Sequence, residues 1–153
     1  MTPDKISRNF KRCRDWEDRY LYLIELGERY ATLPVEQRCA EALVSGCQSQ
    51  VWLVLTIEQQ PSETKSSEKL SSKLVLNAYS DAAIVRGLLA LVRIAYDQQS
   101  LEDARAFDIR AWFEQLELTQ HLTPTRTQGL HAILNAVEAQ TRQSDEVVNT
   151  TNA

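Results

Sequence analysis

The chain is short of nearly everything that marks a ready-made catalytic centre. Its 153 residues include two histidines, four glycines, four prolines and one methionine. The glycines stand singly at 27, 46, 87 and 129, so no glycine-rich loop cradles a phosphate with backbone N–H groups. There is no Cys-x-x-Cys pair and no His-Glu-x-x-His, and His121 and His131 are too far apart in sequence to share a helix turn. Zinc sites carry recognisable ligand spacings, so the expectation is no metal and no resident cofactor. Ser45-Gly46-Cys47-Gln48-Ser49 lacks a serine flanked by glycines, so a nucleophile elbow is also missing.

Basic excess is absent too. Lys+Arg is 17 against Asp+Glu 21, a net charge of −4 with a pI near 5.2. A nucleic-acid binder needs a basic face to neutralise phosphates, and none is indicated. The most apolar stretch, residues 82–96, is broken by Arg86 and Arg93 and is too short and charged to span a bilayer. The first ten residues have no apolar core of a signal peptide. The expected setting is therefore the cytoplasm, with neither membrane nor nucleic acid as partner. Three cysteines, an odd number, exclude a closed disulfide framework, and three free thiols fit a reducing compartment.

What is present is patterned. Thr2-Pro3 reads as a helix start, because proline at the first helical position loses only a donor without a partner. Ile6, Phe10 and Cys13 follow on one face. Asp15 caps a second helix, with Trp16, Tyr20, Leu23, Ile24, Gly27 and Tyr30 on its inward stripe, ended by Thr32-Leu33-Pro34. The period then changes. Ala42-Leu43-Val44 reads as a short apolar strand, and 51–57 and 74–79 read as well-buried strands. Between the latter two, 58–73 is polar and serine-rich with Pro61, read as a mobile hairpin loop. With no intervening helix, the flanking strands pair antiparallel.

Helix returns in the last half. Ser80-Asp81 is expected to cap a buried central helix over 82–96, in which Arg86 and Arg93 share a face. Gly87 costs about 1 kcal/mol against alanine inside a helix, which points to a close approach by a neighbour. Ser100 with Asp103, then Asp108, then Thr123-Pro124 mark three further helix starts. Thr127, Leu130, Leu134 and Val137 form the apolar face of the last helix, and an unstructured tail is expected over 143–153. The sum is α+β: a single domain, residues 1–142, with a small antiparallel sheet packed against several helices.

The cysteines differ in setting. Cys13, beside Phe10, reads as a small packed hydrophobe. Cys39 follows Arg38, with nothing nearby to single it out. Cys47 lies in a polar loop between apolar segments, after Gly46 and before Gln48, Ser49 and Gln50. The glycine permits backbone conformations that other residues resist, and the polar trio offers donors near a thiolate. No lysine or histidine in the loop lowers its pKa. An offered nucleophile and an ordinary loop cysteine both fit these residues.

Four separated motifs narrow the choice. Gly46-Cys47-Gln48-Ser49-Gln50-Val51-Trp52 resembles the signature of the SufE family of sulfur-acceptor proteins. Trp16-Glu17-Asp18-Arg19-Tyr20 with Ile24-Glu25-Leu26-Gly27, then Ser80 through Leu88, then His121 through Arg126 with Gly129-Leu130, agree in order. The resemblance implies an α+β fold and a non-enzymatic partner protein. In it, Cys47 takes persulfide sulfur from a SufS-type cysteine desulfurase, itself a pyridoxal-phosphate enzyme. It stimulates that enzyme and passes sulfur to a SufBCD-type scaffold for iron–sulfur cluster assembly. Gly46, Gln48 and Ser49 are the supporting loop, and Arg126, Arg86 and His121 are candidates for site or interface support. A homodimer stays open. A CsdE-like acceptor serving a second desulfurase, a docking-only activator, and a thiol hydrolase or peroxidase pairing Cys47 with a histidine are the rival readings. The 58–73 segment looks longer than the hairpin turn the resemblance implies.

Overall fold

The fold is that of a computed structural model, which describes residues 1–60 and 71–151, with side chains described for 1–59 and 72–142. Helix α1 (Pro3–Arg12) starts where Thr2 accepts a hydrogen bond from the Lys5 N–H, and buries Ile6 and Phe10. Cys13 does not continue that face. It ends the helix in extended backbone, half-buried, with its thiol donating to the Asn9 carbonyl at 3.4 Å. Helix α2 (Trp16–Tyr30) starts from Asp15, whose carboxylate accepts from the Asp18 N–H, and buries Leu23, Leu26 and Gly27. Each cap satisfies a backbone donor that the helix itself leaves unpaired.

After α2 the chain runs through two single 3₁₀ turns, Val35–Gln37 and Ala40–Ala42. The strand expected at Ala42-Leu43-Val44 does not form. Ala42 closes the second turn, and only an isolated bridge joins Leu43 to Trp52. Leu43 is exposed and Val44 only half-buried against the core, so the run keeps one bridge and one backbone bond to β1 rather than forming a strand.

Strands β1 (Val51–Gln60) and β2 (Ser71–Ser80) pair antiparallel from Val51↔Ser80 to Gln60↔Ser71. The pairing extends three residues past the expected strand end, since Glu58 and Gln59 face Lys73 and Ser72. The rest of the expected loop, 61–70, lies outside the described residues. The strands are less buried than an all-apolar run implies. With two strands, only one face meets the core: Val51, Leu53, Leu74, Leu76 and Ala78 are buried. The other face carries Trp52 stacked on its cross-strand neighbour Tyr79, ring centroids 6.3 Å apart. This is the period-two pattern of a half-covered sheet.

Helix α3 (Ala83–Tyr96) is buried on nearly every side and packs between the hairpin and α2. Its expected cap is absent: Ala82 holds the N-cap position with no side-chain bond. Ser80 and Asp81 instead turn back to the start of β1. The Ser80 hydroxyl donates to the Gln50 carbonyl at 2.7 Å, and Asp81 accepts from the Gln50 N–H at 3.1 Å. After α3, Gln98 takes a left-handed conformation (φ 68°). That turn lays Gln98 and Gln99 along the outer edge of β2, where they pair with both backbone groups of Leu74. Helices α4 (Leu101–Ala106) and α5 (Ile109–Gln115) begin at the Ser100 and Asp108 caps.

Helix α6 (Pro124–Thr151) closes the domain, with Leu130, Ile133, Leu134 and Val137 in the core. It runs past the boundary at 143 where an unstructured tail was expected; residues 152–153 lie outside the described residues. No helix among the described residues is long and apolar enough to cross a membrane.

The α2–α3 crossing explains Gly87. A β-carbon there would lie 2.6 Å from the Leu23 carbonyl oxygen, and one on Gly27 would lie 2.7 Å from the Gly87 nitrogen. Backbone meets backbone, so neither neighbour can rotate aside. Gly87→Ala gains about 1 kcal/mol of helix propensity. Overpacking of this kind costs roughly 1–3 kcal/mol, and with backbone on both sides the top of that range applies. A net loss near 2 kcal/mol lowers Tm by roughly 4–8 °C. Thermal melts followed by circular dichroism check this; an unchanged or raised Tm would mean that the crossing is loose.

Candidate functional site

Cys47 sits on a loop closed at its base. The Val44 N–H donates to the Val51 carbonyl at 2.8 Å, so the chain from Ser45 to Gln50 projects as one turn from the start of β1. Gly46 lies in it at φ +92°, the left-handed region that residues with a β-carbon resist. The far foot of the loop is Gln50, held by Ser80 and Asp81 through both of its backbone groups. The loop leans on α6. A β-carbon on Gly46 would come within 3.3 Å of the Ala132 side chain, and the Cys47 thiol lies 3.6 Å from the Gly129 carbonyl.

The thiol opens into a cavity of about 360 Å³. Val51, Val85, Leu88, Leu130 and Ile133 form an apolar floor, and Gln48, Ser49, Thr123, Thr125 and Arg126 line it with polar groups. Cys47 is half-buried, and burial pushes its pKa above the ordinary thiol value. The cause is loss of hydration by the thiolate. The protonated thiol is favoured twice over, because only S–H can donate to the Gly129 oxygen. In this position the sulfur is a sheltered thiol rather than a poised thiolate.

The sequence-derived candidates separate here. Gln48 and Ser49 line the cavity, although neither bonds to the sulfur, and Gly46 supplies the turn. Arg126 is exposed at the cavity, with its guanidinium unpaired among the described residues. Arg86 is elsewhere. It donates to the Ser80 carbonyl at 2.9 Å and lines a different groove, with Arg38 and Tyr79. His121 does not line the cavity either. Its ring stacks on Trp16 at 3.7 Å, and its carbonyl accepts from the Tyr20 hydroxyl. Cys39 is exposed at the head of the second 3₁₀ turn. Among the described residues, no three His, Cys, Asp or Glu side chains are grouped to hold a metal.

The roles of Gly129 and of Thr123 and Thr125 escaped sequence reasoning. The Thr123-Pro124 start signal located their helix, and Thr123 does accept from the Arg126 N–H at 3.3 Å. Nothing in that signal tied the helix to a cysteine 82 positions away.

A half-covered hairpin, a buried central helix and one loop thiol half-buried against a C-terminal helix define a small α+β domain with Cys47 at its cavity, while Cys39 lies exposed elsewhere. The family follows from comparison: residues 4–141 match SufE, described as the Fe-S metabolism associated domain, and the chain belongs to that family. Its activity accordingly falls within iron–sulfur metabolism. The fold is also similar to a solution structure of a hypothetical protein from Thermus thermophilus. That likeness covers 94% of this chain and 97% of the other, at 21% identity and a TM-score of 0.67, and it bears on the fold alone.

Alkylation tests the sheltered state. Iodoacetamide modification of Cys47, read by peptide mass spectrometry, is expected to rise with pH through a midpoint higher than for the same cysteine in the denatured chain. Thiolate is scarcer in the fold at any pH below that midpoint. Gly46→Ala strains the loop by roughly 1–2 kcal/mol and is expected to raise the modification rate at neutral pH. Folded-state and denatured-state midpoints that coincide would show that the thiol is not desolvated.

Proposed function

We propose that the chain is a sulfur acceptor that takes sulfane sulfur from a cysteine desulfurase onto Cys47 and passes it on for iron–sulfur cluster assembly. The observation that carries this reading is a lone loop thiol, half-buried against the Gly129 carbonyl over an apolar cavity, in a chain of the SufE family.

The step balances with no added redox reagent. The Cys47 thiolate attacks the outer sulfur of the desulfurase persulfide; a new S–S bond forms and the old one breaks. The electron pair of the broken bond leaves with the desulfurase cysteine as its thiolate. This is thiol–disulfide exchange with a persulfide as electrophile, and it needs one accessible sulfur rather than a pair. A second thiol close by would discharge the sulfur as sulfide by closing a disulfide. The thiols of Cys13 and Cys39 are not among the groups lining the Cys47 cavity, which favours a carrier that holds its load.

The raised pKa fits a carrier that is inert until docked. In the resting position the sulfur is protonated and shielded; swinging the 45–50 loop outward hydrates it and restores thiolate. The Val44–Val51 and Gln50–Ser80 bonds form the two feet about which such a swing occurs. Removal of the product persulfide is how the chain stimulates the desulfurase. The intended partners are a SufS-type desulfurase and a SufBCD-type scaffold in the cytoplasm. Neither His121 nor His131 lines the Cys47 cavity, which weighs against the histidine-assisted hydrolase or peroxidase reading.

Incubation with a pyridoxal-phosphate-loaded desulfurase and L-cysteine is expected to add one sulfur atom to the Cys47 peptide, read by mass spectrometry without reductant. Cys47→Ser is expected to lose both the added sulfur and the stimulation of sulfide release. Retained stimulation by Cys47→Ser would leave a docking-only activator. Loading only by a second desulfurase would move the chain to the CsdE-like branch.

A further inference from the structure

On the reading of the chain as a desulfurase partner, we propose that the groove between Leu33 and β2, floored by Tyr79 and flanked by Arg38 and Arg86, docks a carboxylate-bearing surface segment of the desulfurase. The groove is open, about 580 Å³, and distinct from the Cys47 cavity.

Two cations gather on one aromatic ring in this groove. In a chain of net charge −4, Arg14, Arg19, Arg93 and Arg110 each pair with a carboxylate. Arg38 and Arg86, like Arg126 at the Cys47 cavity, pair with none among the described residues; what sets the first two apart is that they share one groove. Both lie over one ring: the Arg38 guanidinium carbon is 3.6 Å and that of Arg86 5.5 Å from the Tyr79 centroid. The ring face attracts each cation, but the two positive charges then repel one another at a shared position. Glu28, which also lines the groove, forms no ion pair with either. A carboxylate bound in the groove that both line would offset that repulsion.

The donors suit such a ligand. Arg38 uses Nε on the Leu33 carbonyl at 3.0 Å, and Arg86 uses one Nη on the Ser80 carbonyl. These bonds and the Tyr79 ring hold the two planar groups in place. Their remaining N–H groups stay unpaired among the described residues, and a guanidinium fork matches a carboxylate better than a lysine does.

Location favours a protein segment over a small free anion. Arg38 stands at the proximal end of the exposed segment that leads to Cys47, and Tyr79 adjoins Ser80, which holds the distal foot at Gln50. A desulfurase lying over the Cys47 loop therefore reaches this groove at the loop's base. A second attachment point there, set by charge, orients the partner while the thiol is handed over.

The test separates docking from chemistry. Binding of the Cys47→Ser chain to the cognate desulfurase holoenzyme is measured by isothermal titration calorimetry, so that no sulfur moves. Arg38→Ala with Arg86→Ala is expected to raise Kd about tenfold. The double lysine exchange, which keeps charge but loses the fork, is expected to raise it about threefold. The affinity of the otherwise unmodified chain is expected to fall several-fold between low and high salt, and the alanine pair to flatten that dependence. Arg86→Gln alone leaves the Arg38 stack intact; its expected threefold loss decides the matter if the double variant does not fold. Unchanged Kd in the folded variants, or salt-independent binding, overturns the proposal. So does a tenfold rise in Kd from Glu28→Gln, which removes a negative charge from the same groove. Sulfur loading of the wild-type chain is read separately. Binding that depends on both arginines without any loading of Cys47 leaves the groove standing and removes the acceptor reading.

Discussion

Two helix backbones in direct contact organise this domain. At the crossing of α2 and α3, Gly27 and Gly87 leave no room for a β-carbon on either side. That approach draws α3 into the centre, where it buries residues on nearly its whole circumference. The hairpin then covers one side of α3, and α6 lines the cavity beside it through Leu130 and Ile133. Both supports of the Cys47 loop, the start of β1 and the first turns of α6, depend on that central helix. A wider crossing would move Val85 and Leu88, which floor the thiol's cavity.

The same economy of elements explains the sheltered sulfur. A two-stranded hairpin has one wet face and two edges. Its outer β2 edge is partly closed by Gln98 and Gln99, and at the other edge Leu43 and Val44 make a single bridge and one hydrogen bond. The chain between α2 and β1 is anchored by buried Leu33 and by Val44 and Cys47, half-buried against the core, and is fastened further by the Arg38 stack, the Val44–Val51 bond and the Gln50 latch. Burial against α6, beside the Gly129 carbonyl, favours the protonated thiol of Cys47.

Local signals in the sequence were reliable where a single residue acts on its own neighbours. Thr2, Asp15, Ser100, Asp108 and Thr123 each bond a backbone N–H three residues on, as their positions before apolar periods implied. Antiparallel pairing of 51–57 with 74–79 was equally legible, because the polar connection carries no helical period for a crossover. Signals failed where a distant partner competed. Ser80 and Asp81 have the chemistry of a helix cap but are recruited by Gln50 across the sheet end. Ala42-Leu43-Val44 has strand composition but no strand to join beyond one bridge. Cys13 has the helical spacing of a core residue, but it falls where the chain must turn toward α2.

The site divides along the same line. Helix starts, the hairpin and, through the Gly46-Cys47 motif and three others in order, the family are all written in the order of residues. They depend on neighbours along the chain or on whole motifs. That Cys47 faces the Gly129 carbonyl and a cavity reached by Thr123, Thr125 and Arg126 emerges in the folded domain alone. So do the placement of Arg86 with Arg38 on Tyr79 and the stacking of His121 on Trp16. The reason is geometric. Which side chains meet across the domain depends on how closely α2, α3 and α6 pack, and that spacing is a property of the assembled core, not of any one segment.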